Sequence, residues 1–240
     1  MHENRGGQPA GTLAGTGGPV VERLLTRQQA ARARSVLDHV AAHALSPQAE
    51  VRLAVLMLAL RAARAGTGNV VGQEITSWLQ GDAERVLQQL VAADWLRLPG
   101  TVAEAMASMP EHPTTFSVPT LLGEQPRPLA FGKTTRARLS GWAQKVVGDR
   151  KIRKKKLDSP ARLLALYTAA HIRFDGRLGR PEDGGLHLDE AAAFCTLPAE
   201  HVAAHADLLV AADWLAEIDT AGGRLRGRLS ERVLPLGGLL

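Results

Sequence analysis

The sequence predicts a mainly α-helical protein in which two similar sets of helices are each followed by a small β-hairpin. The heptapeptide LVAADWL occurs at 90–96 and again at 209–215, a repetition that chance does not explain in a chain of this length. Apolar residues recur at helical spacing through most of the chain, whereas RLRGRL at 224–229 alternates charged and apolar residues as a half-buried strand does. These observations predict a duplicated fold.

The composition limits the kind of protein that this chain can be. With 240 residues, of which 45% are hydrophobic, it is long enough for two small domains with their own cores. Its single cysteine, Cys195, excludes an intramolecular disulfide and an all-cysteine metal site, and it fits a reducing compartment. The longest apolar run, 53–60, is too short to cross a bilayer, and the N-terminal residues lack the pattern of a signal peptide. We therefore expect a cytoplasmic protein with no membrane partner and a disordered tail over 1–18.

Start and stop signals place the elements of the first copy. Thr26 followed by Gln29 is a capping box, and Ser46-Pro47 precedes an almost uniformly apolar run that is typical of a central helix. The elements expected in order are helices over 27–44 and 48–65, a short strand at 69–71, helices over 73–79 and 82–93, and two strands at 95–98 and 114–119.

The second copy repeats this order with a longer loop. Ser159-Pro160 opens an apolar helix, and the loop DGRLGRPEDGG separates that helix from the next strand. The remaining elements expected in order are a strand at 186–188, helices over 189–194 and 199–212, and a hairpin formed by 214–218 and 224–229. In both copies LVAADWL ends a helix and begins a strand, so we expect Trp95 and Trp214 to fill the core at that corner.

Helix, short strand, short helix, turn, helix and hairpin is the element order of a winged-helix domain. Over about 48–118 and 159–232 the chain resembles the winged-helix DNA-binding domains of bacterial regulators and plasmid replication initiators. The resemblance implies two tandem winged-helix domains joined by a basic helical linker, and it points to no particular family. The implied division is a tail over 1–18, a first domain over 19–125, a linker over 126–158 and a second domain over 159–240. The first copy departs from the pattern, since 100–113 interrupts its wing.

The resemblance implies that the third helix of each domain enters the major groove of DNA. In the first copy Arg85, Gln88 and Gln89 fall on the side opposite the apolar face, where they could read guanine and adenine edges. The alternative is an ordinary solvated helix face. In the second copy the outward residues include Asp207 and Leu208, which suit a protein contact better than a phosphate contact.

The second hairpin carries three arginines on one predicted face. Arg224, Arg226 and Arg228 alternate with Leu225 and Leu229, so they could contact phosphates or a minor groove. The alternative is a charged edge that prevents unwanted strand pairing.

The net charge of +5 is concentrated in the middle of the chain. The window 133–156 contains ten basic residues and one acid, Asp149, so it carries +9 while the rest of the chain sums to −4. These ten are Lys133, Arg136, Arg138, Lys145, Arg150, Lys151, Arg153, Lys154, Lys155 and Lys156. A helix is expected over 135–147, with an apolar stripe of Leu139, Trp142, Val146 and Val147. A solvated lysine linker is the alternative, but the local density favours a site for a polyanion.

Other patterns give little support for catalysis or metal binding. HVAAH occurs at 39–43 and 201–205, but the residue after each first histidine is valine, where the zinc-protease pattern needs glutamate. Surface histidines are the simpler interpretation, and Cys195 is expected to be a packed thiol. We find no phosphate-binding glycine loop or nucleophile elbow, so no enzyme activity and no cofactor are expected.

These observations predict a sequence-specific protein that binds double-stranded DNA, most simply a transcriptional regulator associated with the nucleoid. Two alternatives remain open at this stage: a replication or segregation protein of a plasmid or mobile element, and a winged-helix adaptor for other proteins. The second domain could also bind another copy of the chain or another protein.

Overall fold

The computed structural model describes residues 21–43, 45–122, 129–238 and 240 of the chain. The tail predicted over 1–18 lies outside these residues. The described part is mainly helical with two small antiparallel sheets, as the sequence predicts at that level.

Ten α-helices and five strands are found among the described residues, and most lie within a few residues of their predicted bounds. In chain order they are α1 Arg27–Ala42, α2 Ala49–Ala62, β1 Thr67–Val70, α3 Gly72–Leu79, α4 Ala83–Ala92, α5 Val102–Ala107, β2 Thr114–Ser117, α6 Lys133–Val147, α7 Arg150–Lys154, α8 Ser159–Ala170, β3 Leu186–His187, α9 Leu188–Cys195, α10 Ala199–Ala211, β4 Leu215–Asp219 and β5 Arg224–Leu229. The first sheet pairs β1 with β2, and the second has the order β3-β5-β4. The series α2-β1-α3-α4 in the first half therefore recurs as α8-β3-α9-α10 in the second half.

The repeated LVAADWL has the same backbone structure in both halves. Asp94 and Asp213 each adopt a left-handed conformation with φ of 52°. The amide of Trp95 donates to the carbonyl of Leu90 at 3.0 Å, and the amide of Trp214 donates to the carbonyl of Leu209 at 2.8 Å. These bonds close the preceding helix in a Schellman motif. Both tryptophans are buried, which confirms their predicted packing role.

Replacing the left-handed aspartate by glycine should have opposite effects on the melting temperature at these two corners. Because a left-handed residue favours glycine, we expect Asp94→Gly to raise the melting temperature by about 1–2 °C, since its exposed ion pair with Arg97 contributes little. Asp213 pairs with both Lys151 and Arg232, so Asp213→Gly should lower the melting temperature. Thermal unfolding followed by circular dichroism measures both changes. Equal shifts in the two variants would show that the ion pairs of Asp213 contribute nothing.

The strand expected at 95–98 is reduced to a single pair of residues. Arg97 and Ser117 of β2 exchange both backbone hydrogen bonds at 2.9 Å, while the other edge of β2 pairs with β1, as β5 pairs with both β3 and β4 in the second half. The physical reason lies in 100–113, where a capping box between Thr101 and Glu104 starts α5 between the two segments of the predicted wing. The second half has no such helix, and there β4 and β5 form the predicted hairpin.

One apolar core runs through both halves. The helix α6, which belongs to the segment assigned to a linker, packs against α2 and α8. Its predicted apolar stripe is buried as expected, although the helix begins at Lys133 rather than at Thr135. The indole nitrogen of Trp142 donates to the carbonyl of Leu236 at 2.6 Å, and that of Trp78 donates to the side-chain oxygen of Gln144 at 2.7 Å. The helix α6 is therefore a structural component shared by the two halves.

Two buried arginines join the halves reciprocally. Arg52 of α2 donates to the carbonyls of Ala193 and Phe194 at the end of α9. Arg162 of α8 donates to the carbonyls of Ser77 and Trp78 at the end of α3, at 2.7 and 3.0 Å. Since α2 corresponds to α8 and α3 to α9, each half uses the same arginine to satisfy the helix end of the other half. The two halves are therefore joined by equivalent contacts in both directions.

Candidate nucleic-acid interface

A short helix presents most of the concentrated positive charge. We call Arg150, Lys151, Arg153, Lys154, Lys155 and Lys156 the α7 cluster. The carboxylate of Asp149 caps α7 by accepting from the amides of Lys151 and Ile152 at 2.9 and 3.2 Å. Ile152 is fully buried and Leu157 nearly so, whereas all six cationic side chains are exposed. Two apolar anchors in this short segment thus turn six cations towards solvent.

The α7 cluster lies where the two halves meet. Lys151 pairs with Asp213 at 2.6 Å, at the corner between α10 and β4. Arg232 holds both Asp149, at 2.6 Å, and Asp213, at 3.2 Å. The bond from Lys151, followed by those from Arg232, holds the pKa of Asp213 below its ordinary value. These contacts fix one side of α7 to the second half.

The other side of this segment contacts the first half. The side-chain amide of Gln80, in the turn before α4, donates to the carbonyl of Leu157 at 3.2 Å. The guanidinium of Arg162 donates to the same carbonyl at 2.9 Å. The α7 cluster is therefore held between the α10–β4 corner and the turn that precedes α4.

Five members of the α7 cluster are available for an external anion. In the described part of the chain, only Lys151 of this cluster forms an ion pair. The remaining five side chains are Arg150, Arg153, Lys154, Lys155 and Lys156. Neighbouring cations without carboxylate partners raise the local potential and attract polyanions.

The four cations of α6 do not all join this cluster. Lys133 and Arg138 lie near the start of the helix and are exposed, whereas Lys145 is exposed near its end. Arg136 is partly buried and directs its guanidinium towards the carbonyl of Arg61 at 3.5 Å. Since a 15-residue helix is about 22 Å long, the basic residues at the start of α6 form a separate surface from the α7 cluster.

The proposed reading face of α4 is occupied by internal contacts. Arg85 is exposed, but it pairs with Glu50 at 2.8 Å and with Asp82 at 2.9 Å. The bonds to these two carboxylates, that of Asp82 first, raise the pKa of Arg85. The amide of Gln88 donates to Glu84 at 3.2 Å, and Gln89 is only partly exposed. DNA bases would have to replace these carboxylates as partners.

The corresponding helix of the second half has a different surface. Asp207 and Leu208 of α10 are both exposed, as the sequence indicates. His205 contacts Asp158 at 3.5 Å. Cys195, at the end of α9, is fully buried, and burial raises the pKa of its thiol. In the described ranges no group of three side chains is arranged to hold a metal ion.

The three arginines of β5 have separate surroundings. Arg224 is partly buried, whereas Arg226 and Arg228 are exposed, and Leu225 and Leu229 are buried as predicted. Arg226 pairs with Asp219 at 3.0 Å and donates to the carbonyl of Gly184 at 2.8 Å, so it braces the hairpin. Arg228 lies opposite Glu217 in β4. Of the three, Arg228 is best placed for an external phosphate.

Sequence reasoning missed two features of this region. Arg232 belongs to no recognisable sequence motif, yet it connects α7 to the α10–β4 corner. The arginines of the 171–185 loop were also passed over, although Arg177 and Arg180 recur within DGRLGRPEDGG. The sequence signal that could have identified these two arginines was their position among glycines in this loop.

The chain matches none of the family models, curated proteins or solved structures with which it was compared. None of the helices in the part of the chain that the structure covers combines the length and apolarity needed to span a membrane.

Proposed function

We propose that this chain is a tandem winged-helix protein that binds double-stranded DNA, with phosphate contacts from the α7 cluster supplying most of the affinity. The observation that carries the proposal is the position of five exposed, unpaired cations between the two halves, next to the end of α10 and the start of α4. The element order of each half and the β4–β5 hairpin support the winged-helix interpretation.

Recognition of the DNA base sequence by α4 has less structural support than phosphate binding by the α7 cluster. Arg85 and Gln88 are exposed on α4, but both are bonded to carboxylates of the protein itself. Arginine can exchange such partners for the acceptors of guanine, at the cost of leaving Glu50 and Asp82 without their cation. Base contacts from α4 would therefore add preference to an affinity that the phosphates already supply. A role in transcriptional regulation remains the simplest setting for such a protein.

Duplex binding at rising salt tests the proposal. The affinity of the full chain for a labelled 30-base-pair duplex should fall linearly on a log–log plot, with a slope near −4.5 if five phosphates are neutralised, because each contact contributes about −0.9. Fluorescence anisotropy between 50 and 300 mM NaCl measures the slope. Absence of binding at 50 mM NaCl would overturn the proposal.

Selection of bound fragments from random DNA tests the reading residues. We expect Arg85→Ala together with Gln88→Ala to weaken the recovered motif while leaving the salt slope unchanged. The matched control is Glu200→Ala with Asp207→Ala on α10, which alters the corresponding helix of the other half. An unchanged motif in the first double variant would remove α4 from the proposed reading surface.

A protein-binding role is the second candidate, because apolar side chains are exposed on both third helices. Leu208 on α10 is 43% exposed, and Val91 on α4 is 38% exposed. Asp207 beside Leu208 also disfavours a phosphate at that place. An adaptor would yield no preferred sequence in the selection experiment, and Leu208→Ser would leave its duplex binding unchanged.

A further inference from the structure

The loop between α8 and β3 forms a structure that the first half lacks. In the first half only 63–66 separates α2 from β1, whereas 171–185 separates α8 from β3. This longer loop folds back onto β5: the amide of Leu178 donates to the carbonyl of Gly227, and the amide of Leu229 donates to the carbonyl of Gly176, both at 3.0 Å. The loop thus extends one edge of the second sheet.

Glycine fixes the shape of this loop. Gly179 and Gly185 have φ of +71° and +127°, in the region that favours glycine. A Cβ added at Gly179 would clash with the backbone of Gly185, so the two chain segments can approach only without side chains. The close approach of these two segments therefore depends on glycine at 179.

A cavity of about 490 Å³ lies between this loop and the β4–β5 hairpin. Four arginines line it, namely Arg173, Arg177, Arg180 and Arg226, against two carboxylates, Glu217 and Asp219. Its apolar lining comes from Leu178, Pro181 and Ile218. A volume in this range suits a small organic ligand, and mixed arginine and apolar walls suit one with an anionic end and an apolar or ring-shaped end.

The four arginines that line the cavity differ in whether they already form an ion pair within the protein. Arg226 is held by Asp219, and Arg173 is held by Asp175 at 3.1 Å. Arg177 and Arg180 are exposed, and neither makes an ion pair with any residue that the structure describes.

We propose that this cavity binds a phosphorylated small molecule of about nucleotide size, with Arg177 and Arg180 gripping the phosphate. Both arginines line the cavity, a guanidinium group matches the geometry of phosphate oxygens, and the apolar wall would take the rest of the ligand. The inference does not depend on the DNA binding proposed above. A phosphate of the DNA backbone has the same chemistry, and the experiment separates the two sources.

The test uses the full chain with AMP, inorganic phosphate and adenosine as probes. We expect calorimetric titration to detect AMP and, more weakly, phosphate, but not adenosine. Arg177→Gln with Arg180→Gln should weaken AMP binding at least about tenfold, because two charge-assisted contacts are lost. Both side chains are exposed, so folding should be unchanged, which a thermal unfolding curve checks.

A matched variant distinguishes this proposal from the previous one. Arg150→Gln with Lys154→Gln removes the same charge from the α7 cluster; it should weaken duplex binding and leave AMP binding intact. Absence of AMP binding by the unaltered chain, or equal AMP binding by the Arg177/Arg180 variant, would overturn the inference. It is also overturned if the Arg177/Arg180 variant loses duplex affinity as strongly as the α7 variant, since the cavity would then belong to the DNA surface.

Discussion

Replacing Arg162 by methionine should lower the free energy of unfolding of the whole chain by about 3 kcal/mol. Arg162 is 2% exposed, and its guanidinium donates to three carbonyls, those of Leu157, Ser77 and Trp78. Methionine fills a similar volume but leaves these buried acceptors without partners, each at a cost of about 1–3 kcal/mol, partly offset because a buried cation no longer has to be desolvated. Urea unfolding followed by circular dichroism measures the change.

Three further variants make the Arg162 prediction specific. Arg52→Met removes the equivalent contacts in the other direction and should also destabilise both halves. Arg64→Met, in the exposed turn that follows the helix of Arg52, should change stability by less than about 0.5 kcal/mol. Arg162→Lys keeps the charge but not the planar fork, so it should recover only part of the loss. If Arg162→Met unfolds with the stability of the unaltered chain, the reciprocal contacts do not hold the halves together.

Neutralising the free end of the α7 cluster should remove most of the salt dependence of duplex binding. In the variant Arg153→Gln, Lys154→Gln, Lys155→Gln, Lys156→Gln the log–log slope should become shallower by about 3.6, because four phosphate contacts are lost. The loss of affinity between 50 and 200 mM salt would then shrink by about a hundredfold. Lys151 is retained in this variant because its pair with Asp213 docks the helix.

The control for the α7 variant is Lys133→Gln with Arg138→Gln, on the exposed start of α6. It changes the net charge at the opposite end of that helix, so its effect reports general attraction rather than contact at the α7 cluster. We expect the control to alter the slope by less than half as much per charge. Equal effects per charge would mean that the α7 cluster is not the contact surface.

Local patterns in the sequence predicted the helices well, because capping boxes and apolar spacing act over a few residues. The capping box at Thr26 and the apolar stripe around Trp142 are both found as expected. The strand at 95–98 is reduced to the pair between Arg97 and Ser117, since α5 forms within 100–113, between the two predicted wing strands. Pairing of strands across an insertion is a tertiary outcome that composition does not encode.

The candidate site was less predictable than the fold. A run of cations identified the α7 cluster, because charge density is visible in the sequence. The pairing of Arg85 with Glu50 was not visible, since these residues lie on different helices and meet only after folding. The same holds for Arg232, which reaches Asp149 across the chain. The sequence therefore predicted a cluster of charges that are close together in the chain. It did not predict ion pairs between residues that are distant in the chain.

Fusing both copies into one polypeptide changes how this molecule can evolve. In a homodimer, every mutation appears twice, so a carboxylate such as Asp207 could not be introduced into one of two equivalent helices without also appearing in the other. Here Arg52 and Arg162 maintain the shared junction from either side, while α4 and α10 are encoded separately. The surfaces of α4 and α10 can thus change independently, and under the proposed function a DNA target would have no need to be palindromic.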